Sequence, residues 1–239
     1  MKQEFFPCRV LKILDEAPLI KRYFIKYPDD VTMRFQAGQF IMINLPIESK
    51  YTNRSYSIAS PPSEDQTLEL LIVLKEDGLG TPFLFSNIVE GSIIQCSLPL
   101  GKFKLPETID KPIYFICTGT GIAPFRSMIQ HINNHRIPHQ EMHLIFGTRT
   151  EQDLLYRQEF VSLVQSDSDF HYEPVLSRAQ HSDWKGRIGY VHQVYEEAIK
   201  EGKLGYFYLC GWSAMLKEAR EKLQALGIDK SLIKFEVYD

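Results

Sequence analysis

Thr118-Gly119-Thr120-Gly121-Ile122-Ala123-Pro124 follows the apolar run IYFICT (113–118) and opens a helical pattern. Two glycines let a backbone turn approach a diphosphate, and the exposed N–H groups and dipole of the following helix favour its negative charge. Pro124 in the first turn costs no hydrogen bond that the helix needs. The third glycine of the G-x-G-x-x-G fingerprint is missing, so this is a different nucleotide turn. A strand-to-helix turn that needs glycine for steric reasons alone would look the same. Arg54-Ser55-Tyr56-Ser57 is the second pattern. Strand alternation puts Arg54 and Tyr56 on one face, where an arginine could bind phosphate and an outward-facing tyrosine could stack a flat ring. A tyrosine covering a barrel with an arginine at its rim is the alternative. Cys210 stands at a strand end before Gly211; most buried cysteines are small apolar residues and nothing more.

Two kinds of element must position these residues. Residues 8–105 read as short strands, among them 22–27, 40–45, 55–59, 68–74 and 92–98, punctuated by Gly38, Pro46, Pro61-Pro62, Gly91 and Gly101. That rhythm suits a small antiparallel barrel. One helix is expected at 79–89, with Thr81 as its N-cap and Pro82 at the first helical position. From Lys111 strands and helices alternate: strands at 113–118, 142–148, 171–177, 206–211 and 233–238, helices at 124–135, 153–165, 191–201 and 213–226. Such alternation predicts a parallel sheet covered on both faces, with ligands at the carboxyl ends of its strands. Thr118–Gly121, Gly147–Arg149, Ser177-Arg178 and Cys210-Gly211 fall there. The fold class is therefore a two-domain β plus α/β chain, an antiparallel β-barrel over 1–107 and a parallel-sheet nucleotide-binding domain over 108–239. The boundary is placed in LPETIDKP (105–112).

Composition narrows the chemistry. The 239 residues are 44% hydrophobic and 24% charged, with a formal net charge of −3 and no local pile-up of Lys and Arg. That argues against a nucleic-acid footprint or a polybasic membrane patch. Arg9, Lys12 and Asp15 interrupt the N-terminal apolar residues, and no run approaches the roughly 18 apolar residues of a spanning helix. A cytoplasmic protein is expected. Cys8, Cys96, Cys117 and Cys210 are widely spaced with no C-x-x-C pair, which supports neither zinc nor an iron–sulfur cluster nor a disulfide framework. An electron carrier would have to be an organic cofactor or a partner protein, and no metal is expected.

The ordered set RSYS (54–57), GLGT (78–81), LPLGKF (98–103), TGTGIAPFRSM (118–128), FGTRTEQDLLYRQEF (146–160), LSR (176–178), LCGWSAM (209–215) and FEVY (235–238) resembles the ferredoxin–NADP reductase family over nearly the whole chain. The resemblance implies that the barrel binds FAD. Arg54 would contact the FAD pyrophosphate, Tyr56 would stack on the isoalloxazine, and Ser57 would hydrogen-bond near flavin N5. Gly80 and Thr81 match the family's second phosphate turn, where serine is usual. LPLG departs from the family's G-P-x-G at Leu98. Thr118, Gly119 and Gly121 would hold the pyrophosphate of the nicotinamide nucleotide, and Cys210 would lie near the nicotinamide C4. Phe235-Glu236-Val237-Tyr238 looks like the plant-type Glu-x-Tyr ending. Tyr238 would there cover the flavin as a gate and Glu236 would organise the nicotinamide pocket and relay protons. Asp239 follows the tyrosine, whereas plant-type chains end on it. An edge strand with an aromatic cap is the other reading of this tail.

Arginines are the expected readers of a 2′-phosphate. Ser177-Arg178 ends one sheet strand and Arg187 follows nine residues later, the pattern of NADP-linked relatives, with Arg149 and Lys185 adding charge. Solvated loop charges would read alike. The expectation is hydride transfer between NADP(H) and FAD, with NAD(H) as the other nucleotide. Electrons would pass to or from a ferredoxin- or flavodoxin-like carrier. An NADH-dependent oxygenase reductase or flavin reductase is the first alternative, and a non-catalytic flavin relay subunit the second.

Overall fold

A computed structural model describes residues 3–47, 50–180 and 183–238; Asp239 lies outside them. The chain divides into two compact units, one running to Leu105 and taking in Ala123–His135, the other made of Pro106–Ile122 and the residues from Arg136 onward.

The first unit carries β1 (Phe6–Ala17), β2 (Ile20–Lys26), β3 (Phe40–Ile47), β4 (Lys50–Ser57), β5 (Thr67–Val73) and β6 (Ile93–Cys96), hydrogen-bonded in the order β4-β3-β6-β1-β2-β5. An antiparallel bridge between Ile58 and Leu70, with the Ala59 N–H donating to the Glu69 carbonyl at 2.8 Å, joins the two ends. The sheet therefore closes into the expected barrel. Alternation does the packing: Ile41, Ile43 and Leu45 on β3 and Leu68, Leu70 and Ile72 on β5 are buried together. β1 is longer than the short strands anticipated. Register shifts at Val10/Lys12 and Asp15/Ala17 bend it, so that its first half pairs with β6 and the rest with β2.

The helix expected at 79–89 is α1 (Gly80–Asn87), but Thr81 does not cap it. The N-cap is Leu79, and the Thr81 hydroxyl instead accepts from the Lys75 N–H at 2.8 Å. The hydroxyl is drawn back to the preceding loop.

The second unit is a parallel sheet in the order β10-β9-β8-β7-β11-β12, built from β7 (Ile113–Thr118), β8 (Met142–Thr148), β9 (Phe170–Leu176), β10 (Arg187–Ile188), β11 (Tyr206–Trp212) and β12 (Ile233–Tyr238). A short 3-10 turn, Gly119–Ile122, leads from β7 into α2 (Ala123–His135), which groups with the barrel. α4 (Val191–Lys200) and α5 (Ser213–Ala225) cover one face of the sheet. Val191, Val194 and Tyr195 on α4 and Leu216, Ala219 and Leu223 on α5 recur at helical spacing and bury Tyr114, Ile116, Ile145 and Phe207. α3 packs on the other face through Phe160 against Phe170 and Tyr172. It spans Arg157–Ser166 and starts later than the 153 expected, because Glu151–Asp153 forms a separate 3-10 turn and Tyr156 turns left-handed at φ 52°. No helix is long and apolar enough to cross a membrane among the described residues.

Candidate active site

In the parallel sheet the chain leaves β7 outward through β8, β9 and β10, then returns to the other side of β7 for β11 and β12. The order reverses between β7 and β11, and open α/β sheets bind ligands in the crevice at such a switch point, outside the carboxyl ends of the strands. Two loops meet there. A Cβ added to Gly121 would stand 2.5 Å from the Cys210 carbonyl oxygen and 2.8 Å from the Gly211 Cα. Gly211 has φ +139°, and a Cβ on it would run into the Thr118 hydroxyl. Each glycine is thus required by the other strand's end: the loops after β7 and β11 touch backbone to backbone. The N–H of Trp212 leans on the Thr118 hydroxyl at 3.4 Å.

Strand register assembles the rest of this end. Cys210 pairs with Cys117 on one side and with Glu236 on the other, and Trp212 pairs with Tyr238. In a parallel sheet, paired residues and residues two apart share a face. Cys210, Trp212, Glu236 and Tyr238 therefore line one face of the β11–β12 pair. The Cys210 sulfur is fully buried, and its thiol is pushed well up by burial, by the Glu236 charge and by Cys117, while the Tyr238 hydroxyl bonds it and pulls the other way. The group is a neutral S–H at neutral pH, a compact polarizable neighbour and not a thiolate nucleophile. Sequence-expected Thr118, Gly119, Gly121, Cys210, Glu236 and Tyr238 all converge on this one sheet end.

Trp212 was not singled out beforehand. It is 57% exposed, and its indole nitrogen lies 3.7 Å from where a Cβ on Gly119 would stand. An exposed indole beside a diphosphate turn offers a flat apolar wall to a nucleotide ring. The signal available was its position directly after Cys210-Gly211.

In the barrel, Arg54 and Tyr56 pair with Ile43 and Ile41, so they do share a face, as alternation required. That face is the core side. Tyr56 is half-buried against the barrel core and not outward-facing; burial pushes its hydroxyl well above the ordinary phenol range. Ser57 is buried on the opposite face. A Cβ on Gly80 would lie 3.0 Å from the Arg54 Cγ and 3.1 Å from its Nε. Arg54 thus lies across the start of α1, and a guanidinium beside a helix N-terminus suits a diphosphate. The half-buried Tyr56 ring on the same strand suits a flavin's flat surface. The Thr81 hydroxyl is engaged with the Lys75 backbone.

The residues expected to read a 2′-phosphate follow β9 and lie on the neighbouring β10. Ser177 follows β9, its N–H and hydroxyl both donating to the Thr148 carbonyl at 2.9 and 3.2 Å, and Arg178 next to it is exposed. Arg187 sits beside Val175 with its guanidinium turned back to Glu173 at 3.2 Å and Glu197 at 2.7 Å. Those carboxylates raise its pKa.

A network no motif announced ties α2 to the barrel. Glu69, 3% exposed, accepts from Arg22 at 2.7 and 3.1 Å and from Arg126 at 3.1 Å, and Arg126 also donates to the Ala59 carbonyl at 3.0 Å. The partners are 47 and 57 residues apart in sequence.

A closed antiparallel barrel followed by a switch-point parallel sheet is the architecture of a dinucleotide-dependent oxidoreductase. Family models agree: residues 8–105 match the oxidoreductase FAD-binding domain and residues 115–221 the oxidoreductase NAD-binding domain. The chain is 30% identical over 247 residues to ferredoxin–NADP reductase B of Sorangium cellulosum, with 100% of both chains covered. It belongs to the ferredoxin–NADP reductase family. It is also 32% identical over 214 residues to DmpP, the reductase component of phenol 2-monooxygenase from Pseudomonas sp. strain CF600, matching 88% of this chain but 59% of that one. Among solved structures, the Amycolatopsis cytochrome P450 reductase GcoB superposes with a TM-score of 0.87 at 26% identity, over 98% of this chain and 69% of that one. A Neisseria gonorrhoeae ferredoxin NADP+ reductase with bound FAD and NADP shares the fold at a TM-score of 0.83 and 24% identity, over 99% of both chains.

Proposed function

We propose that this flavoenzyme exchanges a hydride with NADP(H) and passes electrons to or from a small ferredoxin- or flavodoxin-like carrier. Residues 1–107 would hold FAD and residues 108–239 the nicotinamide nucleotide. The observation that carries the reading is the convergence of the Thr118–Gly121 turn with Cys210, Glu236 and Tyr238 at the sheet's switch point. The carrier follows from the full-length likeness to a ferredoxin–NADP reductase. Four cysteines left as buried free thiols fit a reducing, cytoplasmic compartment.

Bound FAD supplies a ring that takes a hydride from nicotinamide C4 at N5 and releases electrons singly. The chain's own residues do the positioning. Arg54 and the start of α1 anchor the FAD diphosphate, Tyr56 fixes the ring plane, and Ser57 donates near N5. Thr118, Gly119 and Gly121 hold the nucleotide diphosphate while Trp212 flanks it. Cys210 presents a neutral thiol to the nicotinamide, Glu236 organises that pocket and relays protons, and Tyr238 yields to the incoming ring. Tyr238→Ser is expected to tighten nicotinamide binding and slow turnover; stopped-flow and equilibrium titration that show neither change would remove the gate.

Arg178 is the principal reader of the 2′-phosphate, since Arg187 reaches it only by leaving Glu173 and Glu197. Arg178→Ala should cut the NADPH-over-NADH preference in kcat/KM by about tenfold, the loss of one charge-assisted bond of roughly 1.5 kcal/mol. Arg187→Ala should change it less. An equal or larger effect at Arg187 would reverse that assignment. The carrier is tested by anaerobic mixing of the NADPH-reduced enzyme with ferredoxin, flavodoxin and free FMN. Rapid reduction of either protein carrier supports the reading, and reduction of FMN alone makes the enzyme a flavin reductase.

A further inference from the structure

The amino end of the second unit's sheet, the end away from the nucleotide turn, carries a cluster that the redox chemistry does not use. Glu141 directly precedes β8, His143 is the second residue of β8 and His171 the second of β9; the parallel register sets the two histidines side by side. Period two places Glu141 with His143, and His171 with Glu173, on the same face. The Glu141 carboxylate lies 3.1 Å from the His143 Nε2, and the two imidazoles stack with centroids 4.6 Å apart. One donor atom from each of Glu141, His143 and His171 lies within 4.8 Å of the others.

We propose that Glu141, His143 and His171 form a binding site for a divalent transition ion of the Zn2+ class. Two imidazoles and one carboxylate suit Zn2+ and its neighbours, whereas Mg2+ and Ca2+ take oxygen ligands. Around a tetrahedral ion with bonds near 2.0–2.1 Å, donor atoms stand about 3.3 Å apart. Glu141 and His143 already do, and closing the remainder asks only for adjustment of the half-buried His171. The surroundings are those of a built site. With Nε2 facing Glu141, the Nδ1 of His143 faces the Glu173 carboxylate at 3.8 Å, and Glu173 is held in turn by Arg187 at 3.2 Å. A carboxylate behind a ligating histidine fixes its tautomer and ring orientation. Tyr114 stacks on the His143 ring at 4.7 Å and holds its plane. The fourth position is left to water, and the ion would tie β8 to β9 without touching the nucleotide turn.

The same side chains could form nothing more than an ion pair, a protonated His143 between two carboxylates, and metal binding separates the two accounts. The FAD-loaded full chain, stripped with chelator, is titrated with Zn2+ alone by calorimetry, and bound metal is counted after dialysis. One ion per chain is expected. His171→Ala should weaken binding at least about 100-fold and Glu173→Gln about 10- to 100-fold, as loss of a ligand and of its orienting carboxylate do. The control is His131→Ala with His135→Ala, the neighbouring pair on α2 whose rings lie 4.5 Å apart; it should leave the site intact. FAD content and circular dichroism confirm that each variant is folded, and NADPH reduction rates should not depend on Zn2+. Absence of stoichiometric binding, unchanged affinity in folded His171→Ala, or loss confined to the control pair would overturn the proposal.

Discussion

Glu69→Ala is expected to cost about 3–5 kcal/mol of stability, because it removes the buried carboxylate that Arg22 and Arg126 both bond. Glu69 and Arg126 have side chains only 4% and 10% exposed, and Arg22 is at 22%, so water does little to screen the triad. Arg126 also donates to the Ala59 carbonyl at 3.0 Å, a neutral acceptor that does not balance its charge. For a chain of this size the loss corresponds to a fall in melting temperature of roughly 10 °C. Glu69→Gln retains hydrogen bonding without the charge and should fall between. Thermal unfolding of the three proteins checks this, and equal melting temperatures would show that the triad contributes nothing net. Since α2 is the helix that follows the nucleotide turn, FAD-loaded Glu69→Ala should also lose protection from proteolysis along 123–135.

Gly121→Ala should lower nicotinamide nucleotide affinity at least tenfold while leaving FAD content near normal. The added methyl meets backbone, the Cys210 carbonyl at 2.5 Å and the Gly211 Cα at 2.8 Å, so no side chain can rotate away. The loops after β7 and β11 must spread, at a cost of about 1–3 kcal/mol for overpacking of this kind. The damage falls on the switch-point crevice, whereas Arg54, Gly80 and Tyr56 belong to the other unit. Equilibrium titration with NADP+ and flavin content by absorbance separate the two effects. Unchanged nucleotide affinity would mean that the turn does not bind the diphosphate.

Much of this architecture was legible because it is local. The strands at 113–118, 142–148 and 233–238 follow from apolar runs, and the two-layer logic of strand then helix gives a parallel sheet with functional turns at its carboxyl ends. Alternation correctly put Arg54 and Tyr56 on one face, yet it could not say which face was the core. Only the pairing with Ile41 and Ile43 decides that, and it depends on a register set far along the chain. Thr81 read as a cap because its type and position fit one; a hydrogen bond to Lys75, in the loop before the helix, redirected it. That Glu173 and Glu197 engage Arg187 was hidden for a similar reason, since they come from separate elements. The Glu69 triad left no trace in the sequence, because a buried charge is recognisable only with its partners. The Glu141, His143 and His171 cluster was hidden likewise: each residue is unremarked alone, and parallel pairing makes them neighbours.

Hydride exchange between a nicotinamide nucleotide and FAD is the reaction on which every role proposed above depends. Anaerobic stopped-flow mixing of the FAD-loaded protein with NADPH and, separately, with NADH, following loss of the flavin absorbance, tests it most directly. Rapid bleaching by NADPH, slower bleaching by NADH and a narrowed difference in Arg178→Ala are expected. Bleaching by neither nucleotide would contradict it and leave a flavin-binding subunit that only relays electrons.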